Sequence, residues 1–183
     1  MGEARDAWLD RLRARDEESL RELVRTHSGP LRRYLTSMLR NPADGEELAQ
    51  ETFVRFLEGL SAFRGEASVK TYLFRIAHNL ALNRLASAAS VHELLPGDLP
   101  EGATPSDAQH RAVLRSEEGE RLRRAVSLLP PQQRSVVVLR AWQDLSFKEI
   151  AEALSVAEGT AKAHYFFALR NLRKHLEGEH DSR

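Results

Sequence analysis

Cysteine is absent from this chain of 183 residues. With no thiol there is no disulfide framework, no cysteine nucleophile and no Cys-ligated zinc or iron–sulfur site. Long apolar runs are missing too. Nothing approaches the ~18 consecutive apolar residues of a membrane-spanning helix, so no direct membrane insertion is expected. The opening stretch, MGEARDAWLDRLRARDEE, lacks the apolar core of a signal peptide. Gly2 follows the initiator Met, but Asp6 stands where a myristoylation signal carries Ser or Thr. The expectation is a cytoplasmic protein. Catalytic signatures are equally scarce. The 7 histidines are scattered, with no HExxH and no close pair to hold a metal. There is no Gly-rich phosphate loop and no GxSxG elbow. No enzyme, metal, cofactor or small-molecule substrate is therefore expected. Net charge is missing as well, since 27 Lys+Arg offset 27 Asp+Glu. At face value a neutral chain speaks against nucleic acid.

The zero is an average over opposed parts. Residues 1–90 carry 14 basic and 13 acidic groups, net +1. Residues 91–120 carry 2 and 7, net −5, and residues 121–183 carry 11 and 7, net +4. The acidic middle is punctuated by Pro96, Gly97, Pro100, Gly102 and Pro105, the composition of a flexible linker. This places a linker at 87–112 between a first domain, 1–86, and a second, 113–176, followed by a tail, 177–183.

Helical periodicity dominates both domains, and no strand-like alternation of any length occurs, so the fold class is all-α. Leu20, Leu23, Val24, His27, Leu31, Leu35, Met38 and Leu39 recur at steps of three and four. Gly29-Pro30 is expected to kink or break this run, and Asn41-Pro42 to end it. A second helix carries Leu48, Phe53, Phe56, Leu57 and Leu60, and Gly65 marks a turn. A third carries Val69, Tyr72, Leu73, Ile76, Ala77 and Leu80. In the second domain a helix over about 114–129 stops at Pro130-Pro131, and Pro131 suits the first turn of the next helix, roughly 131–142. Ser146 followed by Glu149 is a capping box that opens a short helix. A tight turn over Ser155–Gly159 then leads into a last helix, 160–176.

A short capped helix, a turn and a longer basic helix form the helix-turn-helix pattern. The last helix holds Lys162, Arg170, Arg173 and Lys174 and no acid, net +4. Its inward stripe is read as Ala161, Tyr165, Ala168, Leu169, Leu172 and Leu176. Lys162, Ala163, Phe166, Arg170 and Arg173 then face outward, where cations neutralise phosphates and early residues reach base edges. The competing reading is a basic surface helix of a bundle, with Phe166 or Phe167 filling the core. The first domain is also asymmetric. Residues 41–60 are net −4 and residues 61–84 net +3. Mutual salt bridging is the simple explanation. The sharper one gives the acidic helix a basic protein partner and the basic helix a nucleic acid, with Phe63, Tyr72 and Phe74 among its cations. At helical spacing such aromatics are more often core, and Tyr72 is expected there at least in part.

The run PADGEELAQETFVRFLEGLSAFRGEASVKTYLFRIAHNLALNRL, residues 42–85, resembles the second conserved region of extracytoplasmic-function (ECF) sigma factors. The run LLPPQQRSVVVLRAWQDLSFKEIAEALSVAEGTAKAHYFFALRNLRKHL, residues 128–176, resembles their fourth region. The tandem, in order and with a linker between, is far more specific than either motif. The resemblance implies a protein that binds core RNA polymerase and directs promoter recognition, melting and transcription initiation. It implies polymerase docking through Asp44, Glu47, Gln50, Glu51 and Phe53. It implies capture of the minus-ten element by Phe63, Arg64, Lys70, Thr71 and Tyr72, with Arg75, Asn79, Asn83 and Arg84 on the following helix. There a flipped base entering a pocket offsets the unstacking cost. The minus-thirty-five element would meet Thr160, Lys162, Ala163, His164, Phe166, Phe167, Arg170, Arg173 and Lys174. Many relatives have a basic residue in place of Phe167 and often Ser or Thr in place of Ala163, so groove contacts here are expected to be more apolar and less hydrogen-bonded. His164 replaces a common Arg and is expected to contact a phosphate from the solvent face. The acidic linker would thread toward the RNA exit path. An anti-sigma factor is an implied further partner.

The alternative is a helix-turn-helix regulator that binds duplex DNA independently of polymerase, its first domain a sensor or dimerisation unit. That domain has no ligand-pocket signature and no coiled-coil heptads. A protein-binding adaptor remains open if the basic helix is buried. The tail after Leu176, EGEHDSR, carries no fused sensory domain in this reading.

Overall fold

The computed structural model describes residues 2–65, 67–89 and 117–178. They form α1 (Gly2–Arg13), α2 (Glu17–Leu39), α3 (Pro42–Gly59), α4 (Val69–Ala89), α5 (Glu117–Ser127), α6 (Pro131–Ala141), α7 (Phe147–Leu154) and α8 (Glu158–Gly178), with no strand among the described residues. The all-α expectation holds. Most of the expected linker, from 90 to 112, and the end of the expected tail, 179–183, lie outside the described residues.

Each boundary has a local cause. Asp16 accepts the Ser19 amide at 2.9 Å and caps α2. Arg40, at φ 55°, closes α2 by donating its amide to the Thr36 carbonyl. Asn41 then caps α3, taking the amides of Ala43 and Asp44, with Pro42 in the first turn. The Ser146–Glu149 capping box is present in full: the Ser146 hydroxyl accepts the Glu149 amide at 3.2 Å and the Glu149 carboxylate accepts the Ser146 amide at 2.8 Å. The Ser146 hydroxyl also donates to that carboxylate at 2.7 Å, and this bond, followed by the one from the Ser146 amide, holds the Glu149 pKa below its ordinary value. Gly65 takes φ 75°, which the turn after α3 requires.

Of the two outcomes expected at Pro30, the break does not occur: α2 runs through it from Glu17 to Leu39. Proline within a helix costs about 3 kcal/mol. Leu23, Leu31, Tyr34, Leu35 and Met38 lie on both sides of it, each at most 1% exposed, and their burial outweighs that cost. Val24, expected in the stripe, is instead 45% exposed, while Tyr34 is fully buried.

The first domain packs α2 against α3 and α4, with α1 anchored by Leu9 and Leu12. The α2–α3 approach depends on Gly45. A Cβ there would lie 2.9 Å from the Thr36 nitrogen and 3.0 Å from its Cα, and nearer still to Thr36 Oγ1. Alanine gains up to ~1 kcal/mol of helix propensity, but the atoms it meets are mostly backbone. Gly45→Ala is therefore expected to cost about 2 kcal/mol net and to lower the melting temperature by about 4–8 °C. Thermal unfolding followed by circular dichroism checks this; an unchanged midpoint would mean that α3 shifts freely.

The two domains pack on each other, α4 against α7 and α2 against α6. At the centre of this seam lies Arg134 of α6, 4% exposed. Its guanidinium donates to the carbonyls of Ser37 and Met38 in the first domain at 3.2 and 2.8 Å, and to those of Ser127 and Leu129 in its own domain at 2.8 and 2.9 Å. Burial, with Arg40 nearby, pulls its pKa down to about 10. Arg40 also donates to the Ser127 carbonyl. The seam is imperfectly satisfied: the Ser37 hydroxyl, Arg134 Nε and the Gln143 side-chain amide are buried with no partner among the described residues.

Candidate nucleic-acid interface

Three surfaces hold the expected site residues. The first is an aromatic cup where α3 ends. Tight turns carry the chain off the helix, the Ala62 amide reaching the Gly59 carbonyl at 3.1 Å and the Phe63 amide that of Leu60 at 3.2 Å. The Phe63 ring stacks on Tyr72 at 4.9 Å and 26°, and Phe56 packs on both at 6.3 and 5.8 Å. The Arg75 guanidinium lies 4.8 Å from the Tyr72 ring centre, a cation–π contact. Together Ala62, Phe63, Arg64, Ala67, Tyr72 and Arg75 line a cavity of about 360 Å³. Its remaining wall is Glu152, contributed by α7 of the second domain.

The structure thus joins Phe63, Arg64, Tyr72 and Arg75 but not every residue of the expected set. Thr71 is 1% exposed; its amide is accepted by Ser68 Oγ at 3.0 Å and its hydroxyl lies 2.8 Å from that oxygen, at the start of α4. Lys70 reaches across the seam and donates to the Gln143 carbonyl. Phe74 is core, 1% exposed and edge-on to Tyr34. Asn79 and Asn83 are exposed and follow Arg75 at four-residue steps, which puts all three on one face. His27, close to Lys70, is held down to about 4 by burial and by that ammonium.

The second surface is α3. Glu47 and Gln50 are exposed, whereas Asp44, Glu51 and Phe53 are half-buried. Part of the acidic face is engaged within the domain, because Arg84 of α4 pairs with Asp44 at 2.5 Å and with Glu47 at 2.7 Å. The hydrogen bond that Arg84 donates to Glu47 leads the effects holding the Arg84 pKa above its ordinary value. Salt bridging between the acidic and basic helices is therefore real, and Arg84 meets carboxylates here. Val54, 51% exposed, completes this face; its signal in the sequence was an apolar residue between Gln50 and Glu58, off the core stripe.

The third surface is α8. Ser155 turns the chain at φ 55°, and α8 starts at Glu158, two residues before the expected start. Ala161, Ala168 and Leu172 face α6 and α7, all at most 7% exposed. Leu169 does not join them; it is 47% exposed, because residue 169 falls between the buried positions 168 and 172 and the polar face. Thr160, Lys162, Ala163, Phe166, Phe167, Arg170, Arg173 and Lys174 are exposed and His164 is half-buried. Phe166 at 65% and Phe167 at 49% do not fill the core, against the part of the competing reading that buried one of them. Their rings meet edge to face at 5.8 Å. Lys162 is paired with Glu158 at 2.6 Å.

No helix of the described residues is long and apolar enough to cross a membrane. Comparison with known proteins covers both domains. Residues 23–91 match Sigma-70 region 2 and residues 119–172 match Sigma-70, region 4. The RNA polymerase sigma factor YlaC of Bacillus subtilis (strain 168) is 30% identical over 161 residues, 87% of this chain and 92% of that one. The ECF RNA polymerase sigma factor SigW of the same organism is 28% identical, over 88% and 90% of the two chains. Among solved structures, the sigma factor RpoE of Bartonella quintana, crystallised with the anti-sigma factor NepR, aligns at a TM-score of 0.68 and 18% identity, over 86% of this chain and 96% of that one. CnrH, in complex with the cytosolic domain of CnrY, aligns at 0.68 and 20%, over 94% and 96%. Two sigma regions in order, spanning both helical domains, make this chain a member of the ECF RNA polymerase sigma factor family, whose members bind core polymerase and direct promoter recognition.

Proposed function

We propose that the aromatic cup between α3 and α4 captures a flipped promoter base, and that this capture drives melting at the minus-ten element. The observation that carries the reading is the cavity itself. Its volume suits a small planar ligand, its wall includes a stacked pair of rings, and Arg64 and Arg75 supply positive charge at its edge. A base that leaves the duplex loses a few kcal/mol of stacking, and an aromatic wall returns much of it. Asn79 and Asn83 continue the path along α4. Glu47, Gln50 and Val54, with the half-buried Asp44, Glu51 and Phe53, dock core polymerase. The exposed face of α8 reads the minus-thirty-five element through Phe166 and Phe167, with Arg170, Arg173 and Lys174 on phosphates. The protein works in the cytoplasm, is not an enzyme, and has domains at 1–86 and 113–176 joined by an acidic linker at 87–112. An anti-sigma factor is its natural antagonist, and a surface spanning the seam is where it would bind.

In this reading the packed arrangement is a closed state of the free chain. The two promoter elements lie about 25 base pairs apart, or about 85 Å at 3.4 Å per step. A compact chain of this length has a radius of gyration of only about 16 Å. Reading both elements therefore requires the domains to part. Closure also engages Lys70 and walls the cup with Glu152.

Run-off transcription tests the whole. The chain plus core polymerase should initiate on promoters that core alone ignores, and failure across a genomic promoter library would sink the assignment of promoter direction to these surfaces. Salt tests α8. If Lys174 neutralises a phosphate, Lys174→Ala should reduce the slope of log K against log salt by about one unit, uniformly across promoters. An unchanged slope would take Lys174 off the DNA.

A further inference from the structure

We infer that Arg13, in the N-terminal helix, is a positioning residue for strand capture: it fixes the loop that forms the cup, without touching DNA. Arg13 precedes the segment that matches Sigma-70 region 2, which starts at residue 23. Its Nη2 donates to the Phe63 carbonyl at 2.9 Å, a link between residues 50 apart in sequence. Its Nη1 donates to Asp10 at 2.8 Å, so the guanidinium is held from its own helix. That helix is fixed in turn. Leu9 is 3% and Leu12 0% exposed, and the Trp8 indole donates to Glu22 of α2 at 2.8 Å. The chain then leaves α1 through Arg15 at φ 57° and re-enters helix at the Asp16 cap, which leaves α1 little freedom to slide.

The bonded carbonyl occupies a sensitive place. It belongs to the peptide joining Phe63, whose ring forms the cup, to Arg64, which lines its edge. Turning that peptide would redirect both side chains at once. Beyond Arg64, Gly65 is at φ 75°, so the loop bends there at a residue without a Cβ. A hydrogen bond from a charged donor is stronger than a neutral one, and Arg13 supplies it where the chain has left α3 and has not yet entered α4. Placing the donor on α1 couples the cup to the rigid packing of α1 on α2.

The inference rests on the strand-capture reading, and the test separates the two. Holoenzyme is assembled from core polymerase and full-length chain carrying Arg13→Ala, Arg13→Lys or Tyr72→Ala. The readouts are core affinity, the salt slope of promoter binding, and the fluorescence of 2-aminopurine placed at the flipped position. Arg13→Ala should slow the fluorescence rise about tenfold, with core affinity and salt slope unchanged. Arg13→Lys, which keeps one donor, should restore more than half of the rate. A rise at the wild-type rate in Arg13→Ala would overturn the positioning role. So would a salt slope reduced by about one unit, the mark of a direct phosphate contact, or an equal defect in the Lys variant with lowered core affinity, the mark of general unfolding. If Tyr72→Ala also captured normally, the cup itself would be at fault rather than Arg13.

Discussion

Tyr72→Ala should lower the rate of open-complex formation on a duplex promoter by about a hundredfold while leaving core polymerase binding intact. The size follows from what the ring does. Stacking of an aromatic on an unpaired base is worth about 1–3 kcal/mol. The contact that holds Arg75 over the ring adds about 0.5–1 kcal/mol. Removing Tyr72 also strips Phe63 of its stacked neighbour at 4.9 Å. A total near 2.7 kcal/mol is two powers of ten. Permanganate reactivity of unpaired thymines reads the opening directly. Tyr72→Phe keeps the ring and should stay near wild type. The decisive comparison is a template with a pre-formed bubble. There the unstacking cost is met in advance, so Tyr72→Ala should recover most of its initiation rate. A defect equally deep on bubble and duplex would place Tyr72 outside melting, and normal opening on duplex would remove it from the site.

That cup was partly legible in the sequence. Local signals were reliable because their physics is local. The Ser146–Glu149 box, Pro131 in the first turn of α6 and Gly65 in a left-handed turn each depend on residues within four positions. The helix continues unbroken through Pro30 because the cost of proline is local and its compensation is not; the packing of Tyr34 and Met38 cannot be read from neighbours in the chain. Leu169 was misassigned because a helical stripe has an edge, and only the partner helices decide which residue falls beyond it. Charge counting found the acidic and basic helices but could not show that Arg84 spends itself on Asp44 and Glu47. Arg13 and Glu152 had no signal. Each reaches the cup from a distant part of the chain, and neither belongs to any short motif.

Arg134→Ala should open the molecule and raise its affinity for single-stranded minus-ten DNA in the absence of polymerase. The wild-type guanidinium serves four carbonyls, two of them in the opposite domain. Truncation leaves buried acceptors without a donor and removes a long side chain from a filled seam, a loss of about 3–4 kcal/mol by the usual cost of such groups. The share of this that falls on closure is what matters for binding. Apparent affinity equals intrinsic affinity multiplied by the fraction of chains already open. If closure holds the open fraction near one per cent, a change of about 2.7 kcal/mol makes open and closed chains comparable and tightens binding by up to about fiftyfold. The seam is poised for such a shift. The Ser37 hydroxyl, Arg134 Nε and the Gln143 amide have no partner among the described residues when it is shut and gain water when it parts. Lys70, released from Gln143, would join the cations at the cup, and Glu152 would leave its wall. Arg134→Lys keeps the charge but not the fork of donors, so it should fall between. Energy transfer between dyes on α3 and α8 measures the opening, and fluorescence anisotropy of a labelled strand measures the binding. Opening without tighter binding would show that the seam does not guard the cup. Tighter binding without opening would show that Arg134 lowers the cup's affinity by some route other than domain closure. A variant that stays shut would mean that the packing of α4 on α7, and not the arginine, holds the domains together.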